Sequence, residues 1–210
     1  ILSVKGLNKT FQVKVGYFFA RKVGTIHAVK NVGFDVPKGV AYGLVGESGC
    51  GKTTTGRIIA RLLDADSGEV LFKGQNILKK KGEELRTLRR KIQFIFQDPL
   101  SSLNPRMTVF EIVAEPMQIH KTVPNIDVRK TVAQRLDEVR LGAGFLDRFP
   151  HQLSGGQRQR VLIARALALD PDFVVADEPV SALDVSVQAK VLGLLDKLRK
   201  ERCFTTLFIS

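Results

Sequence analysis

Cysteine is scarce: Cys50 and Cys203 are the only two in 210 residues. Two thiols cannot build a disulfide framework, so both read as unpaired and suited to a reducing cytoplasm. Long apolar runs are missing as well. No stretch approaches the roughly eighteen apolar residues that a spanning helix needs, which excludes such a helix within these residues. The opening stretch, Ile1–Phe11, lacks a charged start followed by an apolar core and does not read as a signal peptide. It also lacks an initiator Met, so the chain is expected to be trimmed or incomplete. Internal repeats, low-complexity tracts and long runs of like charge are absent too. The densest clusters are Lys79–Lys81 and Leu88–Lys91.

What is present fits one globular domain with a sizeable core and room for a small appended subdomain. Apolar residues make up 44% and charged residues 26%. The net charge is +12, from 33 Lys and Arg against 21 Asp and Glu. Such a balance is compatible with nucleic acid, an anionic membrane surface or a polyphosphate ligand, and does not choose among them.

Short, continuous apolar runs recur at Val40–Val45, Ile92–Phe96, Phe173–Asp177 and Thr206–Ile209. They do not alternate, which predicts strands buried on both faces, as in a parallel sheet under helices. Residues Ile1–Phe11, Thr25–Val36 and Glu69–Phe72 look like half-exposed strands, with Pro37-Lys38-Gly39 a turn. Val128, Val132, Leu136 and Val139 fall on one helical face, as do Val187, Val191, Leu194 and Leu198. The stretch Gly156–Leu169 is rich in helix formers and stops at Asp170-Pro171. Alternating strands and helices predict an α/β layered domain, with a helical insertion from about Leu100 to Gln152.

The most informative segment is GESGCGKTT, Gly46–Thr54. It fits G-x-x-x-x-G-K-[ST] at Gly46, Gly51, Lys52 and Thr53, between a predicted strand and a helix-compatible run. In that context Gly46, Glu47, Ser48, Gly49, Cys50 and Gly51 can curl so that backbone N–H groups face anionic oxygens. The positive end of the helix opening at Lys52, Thr53 and Thr54 reinforces them. Lys52 supplies a mobile charge for the β- and γ-phosphates, and the Thr53 hydroxyl suits Mg²⁺, a hard cation. Asp177 and Glu178 end an apolar strand, the place where open α/β sheets bind ligands. Asp177 would face the metal, and Glu178 could polarise an attacking water. Gln97, at another strand end, could reach either. LSGGQRQR, Leu153–Arg160, offers a second anion site in Ser154, Gly155, Gly156 and Gln157 at a helix start. One ATP does not need two such sites from a single chain. A head-to-tail dimer would use both.

These motifs, in this order, resemble the nucleotide-binding domain of ATP-binding cassette proteins over essentially the whole chain. The resemblance implies a P-loop NTPase (RecA-like) α/β fold with an N-terminal antiparallel β-subdomain and an inserted helical subdomain. The ATP-binding core with its β-subdomain would take residues 1–99 and 157–210, and the helical signature subdomain residues 100–156. It implies ATP and Mg²⁺ as ligands, with Lys52 on the phosphates, Thr53 and Gln97 on the metal, Asp177 supporting the metal and Glu178 as base. Ser154 and Gly156 would contact the partner's ATP. Asp184, in the loop Ser181–Asp184, would link the two sites. Phe11 is a candidate adenine-stacking aromatic, although that position often carries Tyr; a core Phe is the alternative. The switch histidine of such cassettes should follow the strand ending at Ser210, and His27, His120 and His151 do not fit it. The chain is therefore expected to be a fragment that binds Mg-ATP and turns it over slowly.

Three segments resemble the oligopeptide and dipeptide importer subfamily: Gln97–Val109, Val180–Leu192 and Phe11–Val32. Val180 sits where many other cassettes have Thr. The subfamily resemblance implies a peripheral subunit on the cytoplasmic face of the membrane. It would pair with a second cassette, dock integral membrane permease subunits beyond Gln97, and depend indirectly on an extracytoplasmic substrate-binding protein, without nucleic acid. A soluble cassette ATPase acting on DNA or ribosomes is the main alternative. Between the two glycine motifs, however, lie neither sustained heptads nor a cysteine cluster. A degenerate cassette that only binds ATP and an exporter cassette are the remaining alternatives.

Overall fold

The computed structural model describes residues 1–15, 21–122, 124 and 127–210. Part of the importer-like stretch Phe11–Val32, residues 16–20, lies outside them. Two four-stranded sheets form. The first is antiparallel, with β1 (Leu2–Val15), β2 (Arg21–Val36), β4 (Ser67–Phe72) and β5 (Gln75–Asn76) in the order β2-β1-β4-β5. The second is parallel, with β3 (Ala41–Leu44), β6 (Ile92–Ile95), β7 (Phe173–Asp177) and β8 (Thr205–Ile209) in the order β3-β8-β7-β6. The protein is thus the α/β layered domain expected.

Strand β7 lies inside the parallel sheet, between β8 and β6. All five residues of β7 are buried, as suits a strand covered on both faces. β3 departs from expectation. The continuous run Val40–Val45 predicts burial on both faces, but β3 alternates between exposed and half-buried residues and Val45 is 79% exposed. Among the described residues it pairs with β8 alone.

Helix α1 (Lys52–Ile59) lies between the sheets, touching β2, β7 and β8. Its Gly56 is forced by packing. A Cβ there would come within 2.6 Å of Ile209 Cδ1 and 3.0 Å of Val175 Cγ1, so only glycine lets the helix approach so closely. Helix α2 (Gly82–Lys91) leads into β6.

Between β6 and β7 the described residues hold helices and no strand. They are α3 (Pro99–Ser102), α4 (Val109–His120), α5 (Val128–Glu138) and α6 (Gly155–Leu167). Val128, Val132 and Leu136 turn inward, joining Val113, Met117 and Leu162 in one apolar cluster. Helix α4 starts on a capping box between Thr108 and Glu111. A final helix, α7 (Val185–Arg202), packs Val191, Leu194, Leu195 and Leu198 into the same cluster. A second cluster, including Leu7, Ile58, Ile59, Val70 and Val175, fills the space around α1.

Candidate functional site: two glycine-opened helices

The first site lies where β3 hands over to α1. Gly51 caps that helix with φ 96°, in the left-handed region that side chains avoid. A Cβ on Gly51 would stand 1.8 Å from the carbonyl oxygen of Ala28, so β2 presses directly against the loop. Ala28 carries no motif, and sequence reasoning missed it. Only the register of β2 brings it there. No side chain caps α1, and its first turn carries no acid. Its leading N–H groups therefore remain available to an anion.

Lys52 is buried and donates to the carbonyls of Gly46 and Glu47, at 2.6 and 2.8 Å. Its ammonium folds back into the centre of its own loop. The Thr53 hydroxyl donates to Asp177 Oδ1 at 2.8 Å, joining α1 to the end of β7. Burial pushes the Asp177 carboxyl above its ordinary range; the Thr53 hydrogen bond and Arg57 oppose that shift. A nearly enclosed carboxylate beside a hydroxyl is a fitting pair of hard oxygens for a divalent cation that brings its remaining ligands with it. Among the described residues no cluster of three His, Cys, Asp or Glu forms a complete metal cage.

Glu178 follows with φ 42°, an unusual backbone state for a residue other than glycine. Its N–H donates to the carbonyl of Ile209 at 3.0 Å, which fixes the turn after β7. Gln97 Nε2 donates to Glu178 Oε2 at 2.6 Å. The structure thus pairs Gln97 with Glu178 and Thr53 with Asp177. Phe11 is 40% exposed, so it is no core residue. Its ring lies 5.6 Å from the Lys9 ammonium, and it pairs with Ile26, two positions along β2 from Ala28.

The second site opens at α6. Ser154 is its cap: the Gln157 N–H donates to Ser154 Oγ at 3.3 Å, and the Ser154 N–H donates to Gln157 Oε1 at 2.9 Å. Gly155 and Gly156 lie against the segment after β7. Added Cβ atoms would stand 3.1 Å from Leu183 Cδ2 and 2.7 Å from Val187 Cγ1. A cleft of about 810 Å³ results, lined by Ser154, Gly156, Gln157, Arg160, Asp184 and Lys190 among others. Asp184 is exposed at the start of α7, and its carbonyl accepts from Val187 and Gln188. No residue of Gly46–Thr54 lines this cleft. His151 stacks on Phe149 at 5.7 Å, on the exposed turn before Ser154.

Comparison with known proteins identifies the family. A family model described as "ABC transporter" matches residues 29–181. "Oligopeptide transport ATP-binding protein OppF" of Bacillus subtilis is 53% identical over 194 residues, 91% of this chain and 64% of that protein. The protein of the same description from Streptococcus mutans is 48% identical over 211 residues, 100% of this chain and 66% of that one. The chain therefore spans just under two thirds of the length of these curated relatives. Among solved structures, the dimeric post-hydrolysis state of the ATP-binding cassette MJ0796, bound to ADP and Pi, matches with a TM-score of 0.85. The identity is 35%, covering 100% of this chain and 88% of that one. The fold, the paired glycine-opened helices and these matches lead to one conclusion: the chain belongs to the ABC transporter family.

Proposed function

We propose that this chain is the ATP-binding and ATP-hydrolysing part of an importer subunit that powers uptake of oligopeptides or dipeptides. The observation that carries the hydrolytic reading is the convergence of Thr53–Asp177 and Gln97–Glu178 beside an uncapped helix start. The names borne by the relatives support the peptide cargo.

In this reading Lys52 leaves the carbonyls of Gly46 and Glu47 for the β- and γ-phosphates, while the N–H groups of Gly46–Thr54 wrap the phosphate chain. Thr53 and Asp177 would hold Mg²⁺, which would neutralise charge on the phosphates, and Gln97 would add an oxygen to the metal or the water. Glu178 accepts a proton from the attacking water, and Gln97 orients that carboxylate. Phe11 supports the adenine. Ser154 and Gly156 complete the ATP site of a second cassette bound head-to-tail, and Asp184 links the two sites across the interface. Residues 100–156 act as a helical subdomain on the core of 1–99 and 157–210. The exposed region after Gln97 receives integral membrane subunits at the cytoplasmic face, and an extracytoplasmic binding protein selects the cargo.

The test is to tag the full-length protein in its native cell, extract it in mild detergent and identify its partners. Two membrane subunits and a second cassette, with Mg-ATPase activity in the complex, are expected. Recovery of soluble partners, ribosomes or nucleic acid alone would overturn the transport reading. An inactive complex would overturn the hydrolytic one.

A further inference from the structure

Arg165 lies in the last turn of α6, at the far end of the helix from Ser154, and no motif includes it. Its side chain is half-buried, and its Nη1 donates to the main-chain carbonyl of Ser102 at 2.8 Å. Ser102 closes the single turn of α3, which starts directly after Gln97 and Asp98. That turn is tightly bound to Asp98. The Asp98 carboxylate accepts from the N–H groups of Leu100 and Ser101, at 2.9 and 3.3 Å. The Ser102 hydroxyl donates to the Asp98 carbonyl at 2.6 Å. One residue earlier, Gln97 holds Glu178. Hydrogen bonds, joined by the peptide link between Gln97 and Asp98, therefore connect α6 through α3 to the Glu178 carboxylate just after β7.

We infer that Arg165 is a positioning residue for the hydrolytic reaction, setting where Gln97 meets Glu178 by anchoring α3 to α6. The inference rests on the hydrolytic reading above. Burial lowers the guanidinium's proton affinity, and Glu115 opposes that. Glu115, Phe94 and Phe96 line a cleft of about 310 Å³ together with Arg165. A cation kept there loses hydration, and a main-chain carbonyl is an acceptor whose place it can fix in return. Because α6 also opens at Ser154, one rigid helix ties the position of Gln97 to that of the second glycine site.

The experiment is a double-mutant cycle in the full-length protein, in its complex, measuring kcat and KM for ATP and the Kd of an ATP analogue. Arg165→Met should lower kcat about tenfold, the scale of a small displacement of reacting groups. The Kd, set at Gly46–Thr54, should stay within about twofold. Arg165→Lys, which keeps a charged donor, should recover to within about threefold of the parent. In a Gln97→Ala background Arg165→Met should cost less than about twofold more, since coupled residues are not additive. Equal losses in both backgrounds, or a loss confined to Kd, would overturn the role of Arg165 and leave the hydrolytic reading intact. A parent complex without hydrolysis would overturn both. If Arg165→Met does not give a folded protein, Arg165→Gln runs the same cycle under the same criteria.

Discussion

The two glycine-opened helices look alike in sequence and are built oppositely. Helix α1 begins on Gly51, with no side-chain cap and with its lysine turned back onto loop carbonyls. Helix α6 begins on Ser154 and closes its own first turn through Gln157. The first leaves donors unspent and surrounds them with a buried carboxylate, a hydroxyl and a Gln–Glu pair. The second spends the Gln157 N–H on Ser154 and opens onto a wide cleft with no such pair. In the proposed function an anion is held and cut at the first, and the second completes a site brought by another molecule.

Substitution can break this contrast at either end. The largest effect is expected at Glu178. Glu178→Gln should reduce ATP hydrolysis about 10²–10³-fold while nucleotide affinity holds, as measured by steady-state kinetics beside analogue binding. Similar rates in parent and variant would mean that the carboxylate is not the base. Next in size is Gly51→Ala, which meets the Ala28 carbonyl in a left-handed backbone. A loss of more than about 2 kcal/mol in denaturant unfolding is expected.

Ser154→Ala removes a cap that α1 never had. It should cost about 1 kcal/mol, or roughly 2–4 °C in melting temperature at this size. Hydrolysis should fall in the dimer, while ATP affinity of the isolated subunit stays the same.

The smallest effect has the opposite sign. Asp177 has its folded pKa raised by burial, so above the ordinary value of 3.8 the unfolded chain ionises more readily than the folded one. That penalty grows as pH rises through the folded pKa and is then constant. Asp177→Asn should therefore raise the melting temperature of the nucleotide-free protein by about 1–2 °C near pH 7. The gain should vanish below about pH 4, where both states carry a neutral acid, and stabilisation by Mg-ATP should be lost. A gain that persists at low pH would trace to packing rather than charge.

The first site is largely legible in the amino-acid sequence. Lys52, Thr53, Asp177, Glu178 and Gln97 all stand out as candidates there, because phosphate and Mg²⁺ demand a narrow set of groups at strand ends and helix starts. Strands β6, β7 and β8 are legible as well, since continuous apolar runs have few other uses. What stays hidden involves contacts between residues far apart in sequence. The contact of Ala28 with Gly51 depends on β2 register, and the Arg165–Ser102 bond depends on how α6 packs against α3. The exposure of Phe11 depends on where strand pairing puts it.

By itself the sequence determined the local chemistry: a loop able to wrap phosphate, acids at a strand end, a capped helix start and an α/β alternation. Such features are set by residues within a few positions of each other, where backbone preference and side-chain chemistry suffice. Tertiary structure alone decided which hydroxyl meets which carboxylate, which glycine is required by a neighbour's backbone, and which carbonyl accepts from Arg165. Those outcomes come from packing between distant segments, and packing is a property of the whole chain.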